Sequence, residues 1–246
     1  MNTVIIKILL HILSLTLIFL LDQNIVEILA TDLKYFVNLE YLDLSENMVD
    51  LGQFTFLPNL LVLKLQSSLI TNLNFPSENV FPKLQELNLS FNRINTNQLP
   101  SLLPFTSLHL LSLSGNDLRE VIEDWSSLKN LDELDLSLNA FSSEVKASNF
   151  WSSLSTLPKL KNLNISRNFL RGIHTEKLVS GNFVSLESLD FSFNIVENQH
   201  NLICARNFKN LKKLIVTGNP FAVQKQHQGL EMEIYARTGI FKNFYF

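Results

Sequence analysis

The stretch LEYLDLSEN, residues 39–47, is the first clear copy of a motif that recurs along almost the whole chain. Its final positions in successive copies lie 21 to 29 residues apart. The consensus L-x-x-L-x-L-x-x-N at this period predicts an α/β fold, the leucine-rich repeat solenoid, here a right-handed arc of eight or nine repeats. The other copies are LLVLKLQSS (60–68, degenerate), LQELNLSFN (84–92), LHLLSLSGN (108–116), LDELDLSLN (131–139), LKNLNISRN (160–168), LESLDFSFN (186–194) and LKKLIVTGN (211–219).

The middle of each motif predicts a short strand. Successive side chains of a strand point to opposite faces, so the leucines at motif positions four and six point into the solenoid. Positions three, five and seven then point to the concave face, where neighbouring strands form a parallel sheet. The candidate protein-binding residues on this concave face are Tyr41, Asp43, Lys64, Glu86, Asn88, Glu133, Asp135, Asn162, Asn164 and Asp190.

The last motif position predicts a ladder of asparagines. Where the strand turns away, an asparagine amide can satisfy backbone groups that would otherwise lack a partner, so we expect stacked, buried, hydrogen-bonded amides. Serine replaces asparagine at position 68, and we expect a looser turn there. The predicted structural ladder comprises Asn47, Asn92, Asn116, Asn139, Asn168, Asn194 and Asn219.

The segments between the motifs predict the remaining layers. The long step between Asn139 and Asn168 leaves room for one or two helical turns, with Phe150, Trp151 and Leu154 as the buried stripe. After the last motif, residues 220–246 predict a capping helix followed by an aromatic tail, and such a helix would shield the final coil.

Composition argues against an enzyme. The chain has a net charge of −3 and a single cysteine, which excludes an intrachain disulfide. Its five histidines are scattered without ligand spacing, and no glycine-rich phosphate loop or nucleophile elbow is present. We therefore expect no catalytic residue, no metal and no cofactor. The basic residues after position 200 are too sparse to predict nucleic-acid binding, so the expected partner is another protein, bound by a monomer.

The apolar segment LSLTLIFLLDQNIVEI, residues 13–28, has two interpretations. Lys7 and the fourteen-residue stretch 8–21 are typical of a secretion signal. Alternatively, Asn24 lies 23 residues before Asn47, which predicts a degenerate first repeat with Phe19 and Leu21 pointing inward. Ala30 is a poor cleavage site, and the stretch is short for a membrane span, which favours the repeat. The predicted divisions are a signal-like or extraneous extension at 1–18, repeats at 19–219 and a C-terminal cap at 220–246.

The quoted motifs, together with NIVEILATDLKYFVNLEYLDLSEN at the start and GNPF and EIYARTGI near the end, resemble the X-ray radiation resistance-associated protein family. The similarity covers about residues 22–242. It implies an intracellular leucine-rich repeat protein of cytoplasm and nucleus with a role in the response to radiation, and no catalytic residues. This chain lacks the long region that follows the repeats in that family. The alternative is a secreted or membrane-associated recognition protein, in which residues 1–21 act as a signal or anchor.

Overall fold

The computed structural model describes residues 16–23, 25, 33–54, 56–75, 81–142, 147–174, 183–223 and 244–245. The chain divides into two compact units, residues 1–116 and residues 117–246. Each unit is built from the same coil, in which a three-residue strand is followed by a turn and an irregular or helical return. The core of each unit lies between the strands and these return segments.

The described residues of unit 1 form five short strands in chain order. These are β1 (Leu17–Phe19), β2 (Tyr41–Asp43), β3 (Val62–Lys64), β4 (Glu86–Asn88) and β5 (Leu110–Ser112). Each strand pairs in parallel with the next, and the central residues Ile18, Leu42, Leu63, Leu87 and Leu111 stand side by side. Two 3₁₀ helices, Leu51–Gln53 and Thr96–Leu102, form parts of the return segments.

Unit 2 repeats this arrangement with β6 (Glu133–Asp135), β7 (Asn162–Asn164), β8 (Ser188–Asp190), β9 (Lys213–Ile215) and β10 (Phe244–Tyr245). All four pairings are parallel and follow chain order. The returns carry helix α1 (Ala147–Leu154), a 3₁₀ helix (Gln199–Asn207) and the short helix α2 (Pro220–Val223). Phe244 and Tyr245, expected in an aromatic tail, instead pair with Leu214 and Ile215. The sequence places the predicted capping helix at residues 224–237, and these residues lie outside the described part of the chain.

Helix α1 closes the back of unit 2, as the sequence predicts. Phe150, Trp151 and Leu154 are buried, and the Trp151 ring lies 6.2 Å from that of Phe191 and 5.8 Å from that of Phe208. A second buried indole, Trp125, donates from Nε1 to Ser153 Oγ at 3.0 Å, and that hydroxyl donates to the Ile122 carbonyl. The indole N–H of Trp125 and the hydroxyl of Ser153 therefore both have hydrogen-bond acceptors, so burying them leaves neither donor unsatisfied.

Asn92 illustrates how the asparagines join neighbouring coils. Its side-chain Nδ2 donates to the Leu65 carbonyl of the preceding coil at 2.8 Å and to the Leu89 carbonyl of its own coil at 2.9 Å. Its Oδ1 accepts from the backbone N–H groups of Ser68 at 3.0 Å and Ile70 at 2.9 Å. One buried amide therefore satisfies backbone groups of two successive coils.

The same bonding extends along both units. Every ladder amide donates to a carbonyl of its own coil and is buried, and most also donate to the preceding coil and accept from its N–H groups. The residues with these bonds are Asn47, Asn116, Asn139, Asn168, Asn194 and Asn219.

Ser68 stands where the other coils have asparagine, and its coil is irregular. The hydroxyl reaches the Leu44 carbonyl only at 3.4 Å and the Gln66 carbonyl at 3.2 Å. The next residue, Leu69, has a φ of 54°, whereas its equivalents Met48 and Arg93 are not among the residues with positive φ. A left-handed leucine is strained, since its Cβ approaches the following carbonyl oxygen.

We expect Ser68→Asn to raise the free energy of unfolding by about 1 kcal/mol, because the longer amide would restore the bonds that a serine cannot make. Chemical denaturation monitored by circular dichroism measures this difference. A stability equal to or below that of the parent protein would contradict the expectation and show that this coil has no room for the amide.

The residue before each ladder position adopts a left-handed conformation. The non-glycine examples span acidic, polar, aromatic, aliphatic and basic types: Glu46, Ser67, Phe91, Leu138, Arg167 and Phe193, with φ between 51° and 60°. Two coils have glycine there, Gly115 with a φ of 64° and Gly218 with a φ of 74°. A Cβ on Gly115 would lie 2.6 Å from Cδ1 of Phe91, and one on Gly218 would lie 2.4 Å from Cδ1 of Phe193. In these coils the glycine makes room for a ring from the preceding coil.

The inward assignment of Phe19 and Leu21 is wrong by one residue. Strand β1 pairs Ile18 with Leu42, which buries Ile18 and Leu20 and leaves Phe19 64% and Leu21 49% exposed. Asn47 Oδ1 accepts from the N–H groups of Gln23 and Ile25, so Gln23 occupies the ladder position of this coil. Because side chains alternate along a strand, this shift by one residue exchanges the inward and outward sets.

Candidate binding surface on the outward face of the strands

The outward face of the strands carries side chains from motif positions three and five. In unit 1, Glu86 is exposed and Tyr41, Asp43, Lys64 and Asn88 are half-buried. In unit 2, Glu133 and Asn162 are exposed and stand side by side on β6 and β7. The half-buried residues Asp135, Asn164 and Asp190 form a second row across β6, β7 and β8.

The serines at motif position seven do not contribute to this face. The sequence places a third outward row there, yet Ser45, Ser90, Ser114, Ser137, Ser166 and Ser192 are all buried, and only Gln66 and Thr217 are half-buried. The chain has already begun to turn at this position, so the hydroxyls face the adjacent coil. Ser45 Oγ accepts from the Gln66 N–H, and Ser90 Oγ lies 2.7 Å from Ser112 Oγ.

Position five has a structural task in most coils. Its side-chain oxygen accepts a hydrogen bond from the backbone N–H of the serine two residues later, at 2.9–3.1 Å. This Asx turn starts the bend after the strand. The outward residues whose side chains form this turn are Asp43, Asn88, Asp135, Asn164 and Asp190. Position three carries no such bond, so Tyr41, Glu86, Glu133 and Asn162 are the side chains best placed to meet a partner.

An aromatic cluster lies at the N-terminal end of the outward face of unit 1. The rings of Phe19 and Tyr41 are 4.7 Å apart, and Lys64 Nζ lies 5.3 Å from the centre of the Tyr41 ring. The pKa of Lys64 lies above its ordinary value because its ammonium group interacts with the Tyr41 hydroxyl, and Asp43 and Glu86 act in the same direction. The cluster therefore combines an aromatic pair with a cation over the Tyr41 ring.

Sequence reasoning missed Phe19 and its neighbour Leu17, which is 52% exposed. Residues 17–21 are all apolar, so their alternation cannot distinguish the inward from the outward set. The period cannot distinguish them either, because the step to Asn47 is 24 residues from Gln23 and 23 from Asn24, and both values occur among the later steps.

The outward face of unit 2 differs in character. It combines the carboxylates of Glu133, Asp135 and Asp190 with polar amides, and it has no aromatic residue at motif positions three and five. At its edge, Lys212 forms a 2.7 Å ion pair with Glu187, which lowers the pKa of that carboxyl group. The two units therefore present different chemistry on equivalent strand faces.

Within the described part of the chain, no cluster of three His, Cys, Asp or Glu residues is arranged to hold a metal ion. No helix among these residues has the length and apolar character needed to cross a bilayer. A cavity of about 380 Å³ in unit 1 is lined by Leu73–Phe75, Pro100, Ser101, Pro104 and Phe105, with no ionisable side chain among them.

The comparisons with known proteins agree with this architecture. Residues 83–105 match the family described as Leucine Rich Repeat. The crystal structure of an internalin (inlF) from Listeria monocytogenes str. 4b F2365 has a similar fold, with a TM-score of 0.50 and 20% sequence identity over 86% of this chain and 70% of the internalin chain. No curated protein matches the sequence. At this identity the likeness concerns the fold alone, and the chain is an α/β leucine-rich repeat solenoid.

Proposed function

We propose that this leucine-rich repeat protein is a non-enzymatic scaffold that binds another protein through the outward faces of its strands. The observation that carries the proposal is that different motif positions have different roles in the coils. Inward positions are apolar and buried, and position five forms the turn in five of the coils. Position three presents seven residue types in eight coils: Tyr41, Val62, Glu86, Leu110, Glu133, Asn162, Ser188 and Lys213. A regular backbone with a varied exposed row suits the recognition of one particular protein surface.

Tyr41 is the residue on which we expect capture of a partner to depend most. Tyrosine supplies a large contact area with few rotatable bonds, and such residues dominate the binding energy of protein interfaces. Its ring is already held between Phe19 and Lys64, so little side-chain entropy would be lost on binding.

Affinity capture of the tagged full chain from its native cells, with quantification by mass spectrometry, tests this proposal. Two variants are compared with a control: Tyr41→Ala on the outward face of unit 1 and Glu133→Lys on that of unit 2. The control is Lys209→Glu, since Lys209 is exposed and follows the 3₁₀ helix Gln199–Asn207. Loss of the captured protein with Tyr41→Ala or Glu133→Lys, and not with Lys209→Glu, is the expected result. Equal capture by all variants would place the site elsewhere. Asp135 is left unchanged because its carboxylate accepts from the Ser137 N–H.

The proposal includes an intracellular location, in cytoplasm or nucleus, and a link to the cellular response to X-rays. This part rests on the resemblance of residues 22–242 to the X-ray radiation resistance-associated family. It is also supported by the packing of Ile18 and Leu20, since cleavage between Leu21 and Thr31 would remove strand β1 from unit 1. Mass spectrometry of the mature N-terminus provides the test. A start within residues 21–31 would favour the secreted alternative.

A further inference from the structure

The exposed residues of β1 and its neighbours form an apolar patch, defined here as Leu17, Phe19, Leu21, Tyr41 and Val62. Leu17, Phe19 and Leu21 are consecutive outward positions, and each is about half exposed or more. Tyr41 pairs with Leu17 on one side and with Val62 on the other, so all five side chains belong to one side of β1–β3. Large apolar residues gathered in this way on a protein surface are typical of an interaction site.

Carboxylates surround the apolar patch. Asp22 and Glu46 are exposed and occupy equivalent turn positions in successive coils, since the Asp22 N–H donates to the Ser45 carbonyl and the Glu46 N–H donates to the Gln66 carbonyl. Asp43 lies on β2 and Glu86 on β4. The one cation among these outward and turn positions of β1–β4 is Lys64, which is already engaged with Tyr41. Four carboxylates and one ammonium group give the surroundings a charge of −3.

The combination of an apolar patch and nearby carboxylates restricts the kind of protein segment that can bind there. A neutral apolar segment would cover the patch, but it would remove water from neighbouring carboxylates without providing a partner for them. An acidic segment would add like charges at short range. A segment in which lysine or arginine alternates with apolar residues can cover the apolar patch and also form ion pairs with the surrounding carboxylates. Its cations can in addition lie against the exposed ring of Phe19.

We propose that the apolar patch binds a cationic amphipathic segment of a partner protein, with apolar side chains on Leu17, Phe19 and Tyr41 and basic side chains at Asp22, Glu46 and Glu86. The inference rests on the proposed scaffold function and names the class of partner for unit 1. The carboxylate of Glu123 serves as an internal comparison, because it is exposed in unit 2 and lies outside the strands.

The test is direct binding of labelled model peptides to the purified full chain, measured by fluorescence anisotropy at physiological salt. The probes are a short peptide of alternating lysine and leucine and a matched peptide of alternating glutamate and leucine. We expect the lysine peptide to bind and the glutamate peptide not to bind. Phe19→Ser and Glu86→Lys should each weaken binding about tenfold, as expected for the loss of one anchor or one charge pair, whereas Glu123→Lys should change it less than about twofold.

Two results would overturn the inference. One is equal weakening by Glu86→Lys and Glu123→Lys with no effect of Phe19→Ser, which would indicate attraction to negative charge alone. The other is binding of the glutamate peptide as tightly as the lysine peptide. Thermal unfolding of each variant verifies that the fold is retained, and Glu86→Lys tests the site even if Phe19→Ser loosens β1. If the peptides fail while Tyr41→Ala still abolishes capture of a cellular partner, only the partner class is wrong.

Discussion

Replacing Asn92 by leucine is expected to lower the free energy of unfolding by about 3–5 kcal/mol, since each unsatisfied buried polar group costs about 1–3 kcal/mol. Leucine has a similar size but no hydrogen-bonding atoms. It would leave the N–H groups of Ser68 and Ile70 and the carbonyls of Leu65 and Leu89 without the bonds that Asn92 now provides. Urea denaturation followed by circular dichroism measures the loss as a lower midpoint with an unchanged slope.

Asn162→Leu is the matched control for this change. Asn162 is an exposed asparagine on β7, and we expect its replacement to alter stability by less than about 0.5 kcal/mol. A small effect at Asn92, comparable to that at Asn162, would mean that water or a local rearrangement satisfies the stranded backbone groups. The ladder would then be a consequence of the fold and not one of its causes.

Replacing Gly115 by alanine is expected to cost about 3 kcal/mol, although it adds only one methyl group. The left-handed backbone is not the main reason, because Glu46, Leu138 and Arg167 adopt it at the equivalent position of other coils. The larger cost is steric. The new Cβ would lie 2.6 Å from Cδ1 and 2.8 Å from Cε1 of the Phe91 ring. Phe91 must therefore move, and its ring, which is 49% exposed, would lose its contact with the next coil.

A double-mutant cycle separates these two contributions. In a Phe91→Ala background the ring is gone, and Gly115→Ala should cost only about 1 kcal/mol, the ordinary penalty for a left-handed alanine. The expected coupling between the two sites is thus about 2 kcal/mol, measured by chemical denaturation of the four proteins. An equal cost of Gly115→Ala in both backgrounds would show that backbone strain alone selects glycine there. Gly218 and Phe193 offer a second copy of the same pair.

The sequence was most informative where one residue type recurs at one position. Leucines at motif positions four and six, and asparagines at position nine, identify the strands and turns because each has a single physical role in every coil. Trp151 was assigned to the core for a related reason, since a long spacing leaves room for a helix and the helix needs a buried stripe. The leucine-rich repeat fold therefore follows from a few positions of a short repeating unit.

Reasoning from sequence failed where inward and outward positions carry the same kind of residue or where the strand ends before the pattern does. Leu17 to Leu21 are apolar on both faces, and the choice between Phe19 and Ile18 as the core residue is made by pairing with Leu42 on the next strand. The position-seven serines were misplaced because alternation continues in the sequence after the strand has ended. Phe244 and Tyr245 lack the leucines of the motif, so only the structure reveals their pairing with β9. Which outward residues bind a partner is not encoded in the periodic pattern at all.

The asparagine ladder gives the coils a direction. In Asn92 and its equivalents, the side chain of one coil supplies the acceptor for buried N–H groups of the coil before it, as for Ser68 and Ile70. Removing a coil from the C-terminal side therefore strands backbone donors in its neighbour, whereas removing one from the N-terminal side strands a side-chain amide. A cap after the last coil must accordingly contribute acceptors for backbone N–H groups, and a cap before the first coil must meet an asparagine side chain.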